Sequence, residues 1–130
     1  MDKNEFSRIR SYLGKTQNQL ALLLCLSPKA VQSFEEGWRN IPTYVERQLL
    51  LLLCLKSTKA RDFKPCWETR NCPVEWRKNC IVWENKSGYF CWLISGTFCQ
   101  GKYQDNWAKK IEVCRQCEVF QSMLPTLPDQ

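Results

Sequence analysis

The amino-acid sequence predicts a mainly α-helical protein in which an N-terminal helix-turn-helix bundle of four to five helices precedes a small cysteine-rich, metal-stabilised module of irregular or α+β structure. Helical periodicity with capping residues dominates residues 1–56, and seven of the nine cysteines follow residue 60. A chain of 130 residues suffices for about one domain or two small ones. We expect a helical domain at 1–56, a linker at 57–64, a cysteine-rich domain at 65–121 and a flexible tail at 122–130.

The first two helices are predicted from apolar spacing and from the residues that bound it. Asp2 starts the first helix and Gly14 stops it. Thr16 starts the second, and Gln19, three residues later, completes a capping box. The residues expected to face the core are Phe6, Ile9, Tyr12 and Leu13 in the first helix and Leu20, Leu23 and Leu24 in the second.

A third and a fourth helix follow in the same way. Ser27 starts the third, with Pro28 in its first turn, and Gly37 ends it. A fourth is expected to begin at Thr43, with Glu46 completing another capping box, and to run to about Leu55. This helix is apolar almost all round, so it either forms a two-fold dimer interface or packs against the cysteine-rich half.

Residues 6–55 resemble the phage-repressor (Cro-like) helix-turn-helix family. The matching elements are Thr16-Gln17, Leu20-Ala21, Val31, Phe34-Glu35, Gly37 and Arg39-Asn40-Ile41-Pro42. The resemblance implies sequence-specific binding to duplex DNA, with the third helix in the major groove and the second crossing the backbone. The family usually has glycine at the turn where this chain has Cys25, which must adopt a strained left-handed conformation or a different turn.

The resemblance assigns DNA contacts residue by residue. Gln17 would hold a phosphate, and Arg39 and Asn40 would contact the DNA backbone without contacting bases. Lys29 can donate to guanine and Gln32 can bond adenine. The residues expected to face the groove are Ser27, Lys29, Gln32 and Ser33. Pro28 occupies an early position that often carries a base-reading side chain, and a scaffold used only for protein contact is the alternative reading of this region.

The second half of the chain carries a repeated cysteine–tryptophan pattern. The pattern comprises Cys66-Trp67-Glu68, Asn71-Cys72-Pro73, Asn79-Cys80, Cys91-Trp92, Gly96-Thr97-Phe98-Cys99 and Cys114-x-x-Cys117. Residues 65–121 therefore resemble the two-CW domain, a small cysteine-rich module sometimes found beside regulatory domains. The family name describes a pattern and implies no particular chemistry.

The cysteines of this half are candidate metal ligands. Histidine is absent, so a soft-metal site would be all-thiolate or would recruit carboxylates. The candidates are Cys66, Cys72, Cys80, Cys91, Cys99, Cys114 and Cys117. Four thiolates satisfy one iron–sulfur cluster or one zinc ion, and only Cys114 and Cys117 have chelating spacing. We favour a cluster, with zinc, thiol–disulfide switching and a metal-free core as alternatives.

Composition restricts the remaining possibilities. The net charge is +6, and residues 1–60 hold nine Lys/Arg against five Asp/Glu, which suits phosphate contact. No secretory signal is recognisable and the longest apolar run, Leu49 to Leu55, is too short to span a membrane. We therefore expect a cytoplasmic protein with no membrane partner.

These observations favour a sequence-specific DNA-binding transcriptional regulator with an all-cysteine metal or iron–sulfur centre that senses redox state or metal. The alternative is a DNA-binding or adaptor protein whose cysteine-rich module binds structural zinc and recruits a protein partner. The expected partners are double-stranded DNA and a second copy of the chain, with no small-molecule substrate. We do not expect an enzyme, because the sequence has no histidine base, phosphate-cradling loop or serine-centred motif. A thiol oxidoreductase using Cys114 and Cys117 is the enzymatic alternative.

Overall fold

The computed structural model is mainly helical and divides into two compact units, which are described separately. It describes residues 1–57, 68, 73–77, 80–84, 91–93, 98–99, 102–103 and 106–127. The first unit comprises Met1–Ser57 with Pro125–Gln130, and the second comprises Thr58–Leu124. The N-terminal segment of the first unit thus ends at Ser57, the first residue of the predicted linker 57–64. Cys66 and Cys72, two of the candidate ligands, lie outside the described residues.

Helices α1 (Lys3–Leu13) and α2 (Gln17–Leu24) begin and end where their capping residues predict. The Asp2 carboxylate accepts a hydrogen bond from the Glu5 amide at 2.8 Å, and Gly14 ends α1 in the left-handed conformation. Thr16 and Gln19 form the predicted capping box, with two reciprocal bonds of 2.9 and 3.1 Å. Local sequence is therefore enough to explain both helix starts.

Cys25 makes the turn between α2 and α3 (Pro28–Glu36) in the left-handed conformation, with φ 54° and ψ 43°. Of the two possibilities expected from sequence, the structure has the strained left-handed turn. A residue with a Cβ atom is uncommon there. Ser27 then caps α3 by accepting from the Ala30 amide at 3.1 Å, and Gly37 ends the helix with φ 79°.

Helix α4 (Thr43–Lys56) differs at its start from the sequence expectation. The predicted capping box of Thr43 and Glu46 is wrong: Pro42 is the capping residue and no side chain caps the helix. Glu46 is buried, and its carboxylate lies 3.5 Å from the amino group of Met1. The Glu46 carboxylate therefore pairs with the Met1 amino group instead of capping α4.

The core of the first unit is assembled by packing of α1 against α3 and α4, and of α2 against α3. Phe6 and Phe34 meet edge to face with ring centroids 5.8 Å apart. Fully buried aliphatic residues of this unit include Ile9, Leu20, Val31, Val45, Leu49, Leu50 and Leu53. Leu23 was expected in this core, but it is about half exposed, so that expectation is wrong. Tyr12 and Leu13 are only partly buried.

The apolar helix α4 uses much of its surface inside its own unit. Leu49, Leu50, Leu53 and Cys54 are buried, whereas Leu55 is exposed. Lys56, at the end of α4, donates from Nζ to the Tyr12 carbonyl at 2.9 Å and lies over the Tyr12 ring. The side chain of Arg8 in α1 donates to the carbonyl of Leu127, within the predicted tail, at 3.3 Å.

The described residues of the second unit form short elements. They are α5 (Val74–Arg77), α6 (Ile81–Glu84), a 3₁₀ helix (Cys91–Leu93), strands β1 (Phe98–Cys99) and β2 (Lys102–Tyr103), α7 (Trp107–Arg115) and α8 (Glu118–Met123). The two strands pair antiparallel, with Phe98 opposite Tyr103. Asn106 caps α7 by accepting from the Lys109 amide at 2.9 Å. Helix α7 packs against α8 and the 3₁₀ helix.

The described helices also bear on membrane topology. Among the described residues, no helix combines the length and the apolar character that crossing a membrane requires.

Candidate nucleic-acid interface and cysteine cluster

Helix α3 has one face in the core and an opposite face that is polar and exposed. Ala30, Val31 and Phe34 are buried. Ser27, Lys29 and Gln32, three of the predicted groove-facing residues, are exposed on the other side and lie within two turns. Hydroxyl, ammonium and amide groups at this spacing can donate to and accept from base edges.

Ser33, the fourth predicted groove-facing residue, does not belong to this exposed surface. It is buried, and its hydroxyl donates to the Ala30 carbonyl at 2.7 Å. The expectation that Ser33 faces the groove is therefore wrong. The residue falls three positions after buried Ala30, on the inward side of the helix.

Gln17, the predicted phosphate contact, lies at the first position of α2 and is held by a carboxylate. Its Nε2 donates to Glu35 Oε2 at 3.2 Å. Glu35 also accepts two hydrogen bonds from the guanidinium of Arg10, which additionally donates to the Lys15 carbonyl at 3.0 Å. These bonds link α1, α2 and α3 and fix the position of Gln17 beside α3.

Arg39 and Asn40, the predicted backbone contacts, follow α3 directly and are exposed. The Arg39 guanidinium carbon lies 5.6 Å from the centroid of the Phe34 ring, so the side chain stacks over an aromatic core residue. Its amide also donates to the Ser33 carbonyl at 3.3 Å. The Arg39 charge is therefore held near the end of the helix, where it can contact a phosphate.

The described cysteine side chains of the second unit form no disulfide bond and are buried or partly buried. Cys80, Cys91 and Cys114 are buried, and Cys117 is partly buried. Cys114 belongs to α7 and Cys117 caps α8, with the Cys117 amide donating to the Cys114 carbonyl at 2.9 Å. No three candidate ligands come together within the described part of the chain. A four-thiolate site would therefore also need cysteines whose side chains lie outside it, namely Cys66, Cys72 and Cys99.

Cys25 and Cys54, the two cysteines of the first unit, differ from those of the second in their surroundings. Cys25 is exposed in the turn between α2 and α3. Cys54 is buried in α4, and burial raises the pKa of its thiol to about 11. Cys54 is therefore a neutral core residue near pH 7 rather than a ligand or nucleophile.

Two polar groups in the core of the second unit were not anticipated from sequence. Lys110 is fully buried on the same face of α7 as Trp107, Ile111 and Cys114. Trp92, in the 3₁₀ helix, is also fully buried, and its indole N–H has no hydrogen-bond acceptor among the described residues. The placement of Lys110 one turn before Cys114 was the only sequence signal for this arrangement.

Comparison of the chain with models of known protein families, with curated proteins and with solved structures finds no match. Both resemblances named above, and the functions they imply, are therefore proposals that depend on the chain's own residues and geometry.

Proposed function

We propose that this protein is a sequence-specific DNA-binding transcriptional regulator. The observation that carries the proposal is the two-sided helix α3, which is fixed by its core face and presents Ser27, Lys29 and Gln32 to solvent. A helix in the major groove needs this separation, because the groove admits one helix face while the other must stay attached to the protein.

The neighbours of α3 support the same role. Arg39 follows the helix as an exposed cation, and Gln17 starts the preceding helix. Contacts of this kind bind phosphates and set the register of the helix without reading sequence. To meet a phosphate, the Gln17 amide would exchange its bond to Glu35 for one to a phosphate oxygen or use its second N–H.

Comparison of Lys29→Ala with Arg39→Ala in the full chain tests whether Lys29 contacts bases and Arg39 contacts the DNA backbone. Lys29→Ala should reduce base preference by about 1–3 kcal/mol at one position, because it removes a base-edge donor. Arg39→Ala should weaken all duplexes alike and reduce the salt dependence of binding. Lys109→Ala, at an exposed position of the second unit, is the charge-matched control. Identical binding profiles for the Lys29 and Arg39 variants would contradict the division of roles.

For the cysteine-rich unit we propose an all-thiolate iron–sulfur or zinc centre through which the regulator senses redox state or metal. The donor set supports a soft metal, because thiols are present without any histidine. Anaerobically purified protein should be brown, with absorbance near about 400 nm, if the ligands hold a cluster.

The second candidate function is a DNA-binding adaptor whose cysteine-rich unit holds structural zinc and recruits a protein partner. The Cys114–Cys117 spacing favours it, because two thiolates separated by two residues form a zinc knuckle. Colourless protein that releases zinc on acidification would favour the adaptor over the sensor.

We also propose that the regulator binds a palindromic site as a homodimer, with the α3 helices of its two copies about 34 Å apart. The exposed Leu55 at the end of α4 is available for such a contact. Sedimentation of the full chain with and without a palindromic duplex would test the stoichiometry: two chains per duplex are expected, and one chain per duplex would contradict the dimer.

A further inference from the structure

The side chain of Lys3, the first residue of α1, lies against the turn that ends α3. Gly37 makes this turn in the left-handed conformation and has no side chain. A Cβ atom at residue 37 would lie 3.1 Å from Cδ of Lys3 and 3.7 Å from its Nζ. The Lys3 ammonium group therefore lies beside the end of the helix that we propose enters the major groove.

Lys3 and Arg39 are exposed cations beside the same turn. Within the described part of the chain, neither of them forms a salt bridge. Of the neighbouring carboxylates, that of Asp2 caps α1 and that of Glu36 is exposed. Two solvated cations at one turn form a positive surface that suits a partner carrying negative charge.

The end of α3 is closed by its own backbone. A cation near a helix C-terminus can stabilise carbonyl groups that lack a hydrogen bond. Here the Ser33 carbonyl already accepts from the amides of Trp38 and Arg39, at 2.9 and 3.3 Å. Because backbone amides satisfy this carbonyl, the Lys3 ammonium group is able to bind a group from outside the chain.

We propose that Lys3 binds a phosphate of the DNA backbone beside the contact assigned to Arg39. The inference rests on the proposed DNA-binding function, and it adds the start of α1 to the surface that meets the duplex. A phosphate contact at this end of α3 fixes the orientation of the helix without reading bases. Duplex DNA suits two such cations because its phosphates recur along the backbone, so that Lys3 and Arg39 can each meet one.

Lys3→Gln in the full chain removes the charge and keeps a side chain of similar helix propensity. Binding is measured from about 50 to 200 mM salt on a mixed-sequence duplex, because phosphate contacts do not depend on base sequence. Over this range the wild type should lose about threefold more affinity than Lys3→Gln, since one phosphate contact contributes about −0.9 to the slope of log K against log salt. Lys3→Arg keeps the charge and should keep the wild-type slope. Lys109→Gln, at an exposed position of the second unit, is the matched control and should also keep it.

The outcomes distinguish this inference from the proposed function itself. A wild-type chain that binds no duplex removes both. Wild-type binding with an unchanged slope in Lys3→Gln overturns the inference alone. A weaker affinity without a change of slope does so as well, because it would indicate that Lys3 only stabilises the end of α3. An equal change of slope in Lys109→Gln would overturn it too, because the effect would then come from net charge.

A measurement on the wild type avoids any folding defect in the variants. Reductive methylation of Lys3 Nζ, followed by mass spectrometry of peptides, should slow severalfold when the mixed-sequence duplex is added, because a bound phosphate covers the amine. Methylation of Lys109 should not change. Equal labelling of Lys3 with and without the duplex would overturn the inference.

Discussion

The two units of this chain bury their cores in different ways. The first unit uses aliphatic and phenyl side chains from four helices, and Phe6, Ile9, Leu20 and Val31 in it are all fully buried. The described part of the second unit is built from short elements, and it buries cysteines, the Trp92 indole and the side chain of Lys110 beside apolar residues such as Ile111 and Phe120. Among the described residues, the core of the first unit is mainly aliphatic and aromatic and contains one buried cysteine, Cys54, whereas that of the second unit contains three buried cysteines and a buried lysine.

The two units are therefore expected to differ in what stabilises them. Stability in the first unit comes from apolar packing, and the outward face of α3 carries polar, exposed side chains. Small units with little apolar core commonly depend on a metal or on disulfides. The comparison therefore predicts that the two units respond oppositely to chelation and to core truncation.

Metal removal should have the largest effect. If thiolates hold a metal, its loss removes a binding free energy of about 10 kcal/mol or more from the second unit. Amide protons of 107–123 should then lose protection from hydrogen exchange after treatment with a strong chelator, while those of 3–56 keep it. Chelator saturated beforehand with Zn²⁺ is the control. Unchanged protection in 107–123 would contradict a structural metal.

Truncation of Phe34 should produce the opposite pattern. Phe34 is 2% exposed and packs on Phe6, so Phe34→Ala should cost about 3–5 kcal/mol. The helices of the first unit should lose exchange protection while 107–123 retain it. Leu22→Ala, at a position 80% exposed, should change stability by about 0.5 kcal/mol or less. A similar loss in both variants would show that the first unit lacks the specific core described above.

Cys54 gives a smaller test of how the first unit uses cysteine. Its thiol pKa is raised by burial from 9.0 to about 11, so its contribution to stability is complete below pH 9 and is lost as the pH rises towards 11. Between about pH 8 and 10 the wild type should lose about 1 kcal/mol more than Cys54→Val. Urea unfolding of the full chain at both pH values checks this. Equal losses in the two proteins would contradict a buried neutral thiol.

The helices of the first unit were predictable because their signals are local. Asp2 with Gly14 and Thr16 with Gln19 sit at the positions that satisfy the ends of a helix, and these pairs required no knowledge of the tertiary structure. The wrong predictions for Glu46 and Ser33 concern tertiary contacts, which the local sequence does not determine. Glu46 pairs with the Met1 amino group instead of capping α4, and Ser33 turns towards the core.

The candidate sites were predictable only in part. Exposure of Lys29 and Gln32 agrees with the helical pattern around Val31 and Phe34. The candidate cysteine ligands are different, because they come from positions far apart in sequence, and spacing alone does not predict which of their sulfurs would lie together. The buried Trp92 N–H could not be anticipated, since a tryptophan beside a cysteine is equally consistent with simple core filling.

The most direct test of the central claim is selection from a pool of random duplexes at low salt by the full chain with its thiols reduced and intact. If the polar face of α3 reads bases, the retained duplexes should converge on a short common site, and Gln32→Ala should relax the preference at one position of that site. Retention of no duplex, or retention without any sequence enrichment, would contradict the claim.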